Sequence, residues 1–158
     1  MLVTLLTFFH QHQVDSFALG LLSLGLKPGD RLGVWMPNNS AWVIAKWACW
    51  RLGIILVNVN PAYREHELVH ALNLVQCKTL IIVPQLRASN YIDMLNKLLP
   101  ELQHADKYNL QLQKLPHLKH IIVNDTSSSS TSTDYKGMIH FNSVFKSIFS
   151  SSQVASEI

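Results

Sequence analysis

Cysteine is scarce: the 158 residues hold two, Cys49 and Cys77, which cannot form a disulfide framework, and neither belongs to a Cys-x-x-Cys pair. Both lie inside apolar patterns and read as buried, reduced thiols, which points to an intracellular, reducing compartment. Long hydrophobic runs are missing as well. No uncharged stretch reaches the ~18 apolar residues that a membrane-spanning helix needs. The apolar start, Met1 to Phe9, has no basic flank and no small-residue cleavage site, so it does not read as a signal or targeting peptide. Charge of either sign is sparse and scattered: thirteen Lys and Arg against ten Asp and Glu give a formal +3, with no dense patch to track a nucleic acid. No internal repeat is visible.

What the chain does have is apolar mass. Hydrophobic residues make up 48% of it, enough for the core of about one domain and too many for a disordered chain. Helical periodicity runs from about Phe8 to Leu24, with Thr7 as N-cap and Val14, Phe17, Ala18, Leu21 and Leu22 on one face. Gly25 stands where a left-handed C-cap is needed, and Lys27-Pro28-Gly29-Asp30 reads as a turn. Arg31 to Met36 is a strand. Pro37-Asn38-Asn39-Ser40 breaks it and offers N-cap side chains to a second helix, Ala41 to Leu52. Ala41, Ala45, Ala48, Cys49 and Leu52 share one face of that helix, and Val43, Trp47 and Trp50 the other. A helix apolar on both sides is built to be covered on both sides.

Gly53 ends that helix, and Ile54 to Val59 is a β-branched run of the kind found in strands covered on both faces. Asn60-Pro61 closes the strand. A third helix, Arg64 to Val75, turns Leu68, Leu72 and Val75 inward. Lys78 to Val83 is a second buried-type strand, Ala88 to Leu99 a fourth helix, and Leu118 to Val123 a last strand. Residues 106–113 read as loop or as a frayed helix end. Helices alternating with apolar strands across short turns give an α/β class, a parallel sheet with flanking helices and right-handed crossovers. The expected organisation is a main unit over 1–125, a Ser/Thr-rich connector over 126–138, and an amphipathic tail over 139–158 centred on Val144, Phe145, Ile148 and Phe149.

Several phrases stand in a fixed order: Gly25-Leu26, Gly29-Asp30-Arg31-Leu32, Pro37-Asn38-Asn39, Gly53, Asn60-Pro61-Ala62-Tyr63, and Glu67-Leu68 with Leu72. In this order and spacing the chain resembles the N-terminal part of the adenylate-forming, AMP-binding acyl-CoA synthetases. The wording is nearest to their medium-chain branch in animals, which includes mitochondrial members. The resemblance runs from about Leu6 to Val123, and more weakly to Phe149. It implies a partial N-terminal subdomain of the acyl-CoA synthetase fold and a mitochondrial address. For full-length members it implies ligation of a fatty acid to coenzyme A through an acyl-adenylate, using ATP and magnesium.

That chemistry needs a Thr-Ser-Gly-Thr-Thr-Gly-x-Pro-Lys-Gly loop for the pyrophosphate end of ATP and a Tyr-Gly-x-Thr-Glu segment whose Glu helps hold magnesium. It also needs an Asp for the ribose and a Lys on a mobile C-terminal domain to stabilise the charge that develops. These motifs do not occur in the 158 residues. Thr126 to Gly137 ends in Lys136-Gly137 but has no earlier glycine to let backbone N–H groups converge on a phosphate. Full-length relatives also carry several dozen residues before the helix that starts here near Phe8. The sequence therefore reads as a fragment or short product with no catalytic, cofactor-binding or metal-binding residues of its own. An alternative is a non-catalytic α/β module that associates with a full-length relative as a decoy or dimerisation partner.

One rival motif must be weighed. His66-Glu67-Leu68-Val69-His70 matches the His-Glu-x-x-His of zinc peptidases, in which two histidines one turn apart hold the metal and the Glu is general base. Here His66 and His70 fall opposite the Leu68–Leu72–Val75 stripe, so both should face solvent. No Gly-x-x-His extension follows. His10 and His12 read as surface residues. Four tryptophans, Trp35, Trp42, Trp47 and Trp50, could form a stacking platform but read better as core or subdomain contacts. Gly53 and Asn60-Pro61 read as structural.

Overall fold

The computed structural model describes residues 2–126 and 135–146, with side chains from Gln11 onward. In chain order the elements are α1 (Leu2–Ser23), β1 (Arg31–Trp35), α2 (Ser40–Leu52), β2 (Ile55–Asn58) and α3 (Glu65–Leu74). Next come β3 (Thr79–Ile82), β4 (Gln85–Leu86), β5 (Ser89–Asn90), α4 (Tyr91–Leu98), a 3-10 turn at Pro100–Gln103 and β6 (His120–Val123). A short β7 (Ile139–His140) and a single turn, α5 (Phe141–Val144), complete the described chain.

Five strands form one sheet in the order β2-β1-β3-β6-β7, and all four pairings are parallel. Leu32 in the middle of this sheet faces Leu56 on one side and Thr79 on the other. Because β1 leads outward to β2 while the chain then crosses back to β3, right-handed crossovers place α2 on one face and α3 on the other. Accordingly α1 packs on α2 and α5, and α3 packs on α4. The core lies in two layers about β1, β3 and β6. Every residue of β3 and β6 is buried, as a central parallel strand requires.

Local chemistry sets the element ends. Gly25 has φ 77°, and the N–H of Leu26 reaches back to the Leu21 carbonyl at 3.2 Å, closing α1. Gly53 has φ 64°, and the Ile54 N–H bonds the Cys49 carbonyl at 2.9 Å. Both are left-handed caps that a side chain would strain. At the start of α2 the Asn39 Oδ1 accepts from the Trp42 N–H at 2.9 Å. At the amino end of the sheet, Lys78 Nζ donates to Asp30 at 2.6 Å and to the Gly25 carbonyl at 2.8 Å. Arg31 donates to the carbonyls of Val75 and Gln76.

Four expectations need correction. α1 begins at Leu2 rather than after Thr7, because no Gly or Pro interrupts the apolar residues before it. The run 54–59 forms a strand, but β2 is the sheet edge and Ile55 is 52% exposed, so its outer face is uncovered among the described residues. The fourth helix starts at Tyr91: Asn90 caps it, accepting from the Asp93 N–H at 3.1 Å. Residues 85–90 form instead a tight hairpin, with Arg87 at φ 53°. Finally, β7 adds a fifth strand from a segment too short to show a period, paired to β6 through Ile122 and Ile139. Phe141 then stacks on Phe17 of α1 at 4.6 Å. Ile148, Phe149 and residues 127–134 of the connector lie outside the described residues.

Candidate functional site

In an open parallel sheet the loops that meet a ligand are those beyond the carboxyl ends of the strands, at the point where neighbouring connections leave in opposite directions. Here that point lies between β1 and β3, since β1 leads to β2 and β3 leads towards β6. The edge is held by aromatic rings. Trp35, fully buried at the end of β1, stacks on Tyr91 at the start of α4, with centroids 3.9 Å apart and 10° between planes. The Trp35 indole N–H donates to the Asn60 carbonyl at 3.1 Å, and the Tyr91 hydroxyl donates to the next carbonyl, Pro61, at 2.7 Å. Burial pushes the Tyr91 pKa up, against a small opposing effect of Arg64, so the phenol stays a donor. The Asn60 side chain accepts from the Ala62 N–H at 3.0 Å. Asn60-Pro61-Ala62-Tyr63 is thus a clamped turn that closes the strand.

Beside this clamp, a cavity of about 480 Å³ opens between the ends of β1 and β2. It is lined by Met36, Asn38, Trp42, Asn58 and Pro61, and the Trp42 indole N–H donates to the Asn58 Oδ1 at 3.1 Å. A second cavity of about 390 Å³ lies further along the same edge, where the start of α2 meets the ends of β6 and β7. The two cations tied most closely to the sheet, Arg31 and Lys78, stand at its opposite, amino end and are engaged there.

No three His, Cys, Asp or Glu side chains among the described residues stand close enough to share an ion. His66 and His70 are both exposed on α3. The Glu67 carboxylate accepts from the Arg64 backbone N–H at 2.7 Å, an arrangement that caps the helix start. His12 is exposed, and the His10 side chain lies outside the described residues. Both cysteines are buried, and desolvation pushes Cys49 up to about 12 and Cys77 up to about 11, so neither is a nucleophile at neutral pH.

Sequence reasoning passed over three polar groups. His120 is buried in β6. Its Nε2 donates to the Tyr108 carbonyl at 3.0 Å, which leaves Nδ1 to accept from the Thr79 hydroxyl at 3.2 Å. Burial, the chief cause, and the nearby lysines push its pKa below the usual value. Asn124 and Asp125 follow β6 directly. An Asn-Asp pair placed just after a buried strand was the available signal. The Tyr135 hydroxyl donates to Asp125 at 2.7 Å.

The tryptophans divide. Trp35 is core and Trp42 partly buried, whereas Trp47 is 46% and Trp50 71% exposed, with Val43 beside them at 40%. The Trp47 and Trp50 rings lie 5.0 Å apart. This outer face of α2 meets nothing among the described residues large enough to cover it.

Residues 10–152 match the protein family described as AMP-binding enzyme. The chain is 44% identical over 121 residues to the bovine (Bos taurus) medium-chain acyl-CoA ligase ACSF2, mitochondrial, and 43% identical to the human (Homo sapiens) protein of that name. Each alignment covers 77% of this chain and 20% of the relative. The putative acyl-CoA synthetase YngI of Bacillus subtilis is 37% identical over 105 residues, 66% of this chain and 19% of that one. Among solved structures, acetoacetyl-CoA synthetase from Streptomyces lividans superposes with a TM-score of 0.67 at 20% identity, over 87% of this chain and 20% of that one. The anthranilate CoA ligase AuaEII, in complex with anthranoyl-AMP, gives 0.65 at 18% identity, over 85% and 21%. The chain therefore spans about a fifth of the length of the relatives it matches.

Proposed function

Since the chain belongs to the AMP-binding enzyme family, we propose that it is the N-terminal part of a medium-chain fatty-acid–CoA ligase. The whole ligase would form an acyl-adenylate from ATP and the acid and then pass the acyl group to coenzyme A, and it would work in mitochondria. The observation that carries this is the 44% identity to a mitochondrial medium-chain acyl-CoA ligase, sustained over 121 residues. ATP and magnesium supply the activation of the acid when bound.

Its own task is architectural. The parallel sheet sets the carboxyl-edge loops, the Trp35–Tyr91 stack fixes the Asn60-Pro61 turn, and the cavity between β1 and β2 stays open as part of a wall. The apolar outer face of α2 and the uncovered edge strand β2 are the surfaces against which the rest of a ligase would pack. On this reading the 158 residues alone are inactive. Carboxylate-dependent exchange of pyrophosphate into ATP tests it. Exchange should be absent with this polypeptide alone and present when the remaining ligase segment is supplied as a second polypeptide. Turnover by the 158 residues alone would overturn the proposal.

A second reading draws on the exposed Val43, Trp47 and Trp50 face: a non-catalytic module that associates with a full-length relative. Co-purification with such a relative, without any gain of exchange activity, would favour it over the first.

A further inference from the structure

The edge strand β2 leaves half of its hydrogen-bonding groups pointing away from the sheet. In a parallel ladder the N–H and C=O of one residue point to the same side, and successive residues alternate. The Ile55 N–H reaches the Asp30 carbonyl at 2.8 Å and the Val59 N–H the Val34 carbonyl at 3.0 Å, so Ile55, Val57 and Val59 serve β1. Leu56 and Asn58 therefore turn their backbone groups outward, where no strand lies among the described residues. Exposed edges are ordinarily blunted by charge, proline or a bulge. From Ile54 to Val59 this one has no charged residue and no proline, and its register with β1 runs without a bulge.

The two outward residues are two positions apart, which makes the edge complementary to itself. Laid antiparallel on a second copy about a two-fold axis through Val57, Leu56 of each chain faces Asn58 of the other. Each facing pair exchanges two N–H···O=C bonds, so every outward group finds a partner. An axis through Leu56 or Asn58 would instead set one of them against Ile54 or Asn60. Those are already engaged: the Ile54 N–H bonds the Cys49 carbonyl, and the Asn60 carbonyl accepts from the Trp35 indole.

α2 brings apolar surface to the same seam. Trp42 donates to Asn58 at the end of β2, and at ~100° per residue Lys46 and Trp50 follow Trp42 back along that flank. Arg51 lies on the other flank, paired with Asp15 of α1. Lys46 rests over its own Trp42 ring, 5.3 Å from the centroid, on a stem long enough to keep its ammonium in water. Trp50 is 71% and Ile55 52% exposed, and at these exposures they offer roughly 250 Å² of apolar surface per chain. With the strand backbone and the Lys46 stem each chain buries roughly 500 Å², so the pair reaches the ~1,000 Å² at which specific interfaces begin.

We propose that the 158-residue chain forms a two-fold dimer, in which β2 pairs antiparallel with β2 of a second copy and one sheet runs through both. The pairing belongs to the chain by itself and does not rest on the ligase reading, in which the same edge receives the rest of the ligase.

Sedimentation velocity of the chain at roughly 1–200 µM tests it, the range in which an interface of this size dissociates. The sedimentation coefficient should rise from that of a monomer to that of a dimer and stop there, because a two-fold interface closes. Asn58→Pro removes an outward N–H that β1 does not use, and Ile55→Lys puts a charge on the edge. Each should weaken dimerisation by about tenfold or more, with circular dichroism showing that the variant is folded. Asn58→Ala keeps the outward N–H and loses only the Trp42 contact, so it should dimerise as the parent does. Crosslinking reads the register. Val57→Cys sets two thiols opposite one another at a non-hydrogen-bonded pair, with Cα atoms about 4.5 Å apart, and should give a disulfide dimer under mild oxidation. Ile55→Cys stands about 13 Å along the strand from its counterpart and should not crosslink; both native cysteines are buried. A monomer throughout the concentration range, growth into open-ended oligomers, unchanged dimerisation in folded Asn58→Pro and Ile55→Lys, or crosslinking through Ile55→Cys rather than Val57→Cys would overturn the proposal. These readouts involve neither ATP nor an acid, so their failure leaves the ligase reading standing, and failure of the exchange assay leaves the dimer standing.

Discussion

Replacing Trp35 by Phe strikes the point where β1, α4 and the turn after β2 are tied together. Phenylalanine keeps a ring against Tyr91, 3.9 Å away in the parent stack, but it has no N–H to give the Asn60 carbonyl. Leaving that partly buried acceptor unpaired costs about 1–2 kcal/mol. The smaller ring also opens space in a fully buried site, which costs a further ~1–2 kcal/mol. The expected loss is about 2–4 kcal/mol, a large share of the ~5–15 kcal/mol that holds an ordinary domain folded. Tyr91→Phe removes one hydroxyl and leaves the stack intact, so it should cost about 1 kcal/mol. The two bonds end on successive carbonyls of one turn, and once either is lost the turn can relax. The double variant should therefore depart from the sum of the single ones by about 0.5 kcal/mol or more. Urea unfolding followed by far-ultraviolet circular dichroism measures all three. A Trp35→Phe loss below ~0.5 kcal/mol, or strict additivity within ~0.3 kcal/mol, would refute the clamp.

Further predictions follow the same geometry. His120 is held neutral with a pKa below its ordinary 6.5. Its contribution should be whole above that value and fade as pH falls towards the depressed folded value, and His120→Gln should flatten this slope in pH-dependent melts. Lys78→Met removes the donors to Asp30 and to the Gly25 carbonyl and should cost about 1–2 kcal/mol, less at high salt. Burial raises the Asp30 pKa, but the hydrogen bonds and charge of Lys78, with Lys27 and Arg31, outweigh this and lower it below 3.8. The stability due to that shift is present above 3.8 and lost as pH falls through the lowered value, and the same variant should remove most of that acid limb. Gly53→Ala, at φ 64° with only ordinary contacts near a new Cβ, should cost about 1 kcal/mol by thermal denaturation. Trp47→Ser with Trp50→Ser should leave the melting temperature within a few degrees. It should also abolish recovery of exchange activity when the remaining ligase segment is added, and full recovery would sink the packing role of that face.

The glycine caps, the Asn39 cap, the buried runs and their alternation with helices are local facts of side-chain shape and polarity. For that reason the sequence by itself determined the parallel α/β class, the order of the main elements and the family. It also determined that α2 carries two apolar faces, because helical spacing does not depend on neighbours. It could not say which strand would be the edge. A β-branched run looks alike in the middle of a sheet and at its border, and only the strand order left Ile55 uncovered. Nor could a two-residue strand such as β7 announce itself, since it holds no more than one strand period, too little for a pattern to repeat, and exists by pairing with β6. The Trp35–Tyr91 stack joins residues 56 positions apart, and the cavity at Asn124 draws its walls from four separate elements. Such meetings are made by tertiary packing, which brings distant donors to one place and decides which of them finds an acceptor.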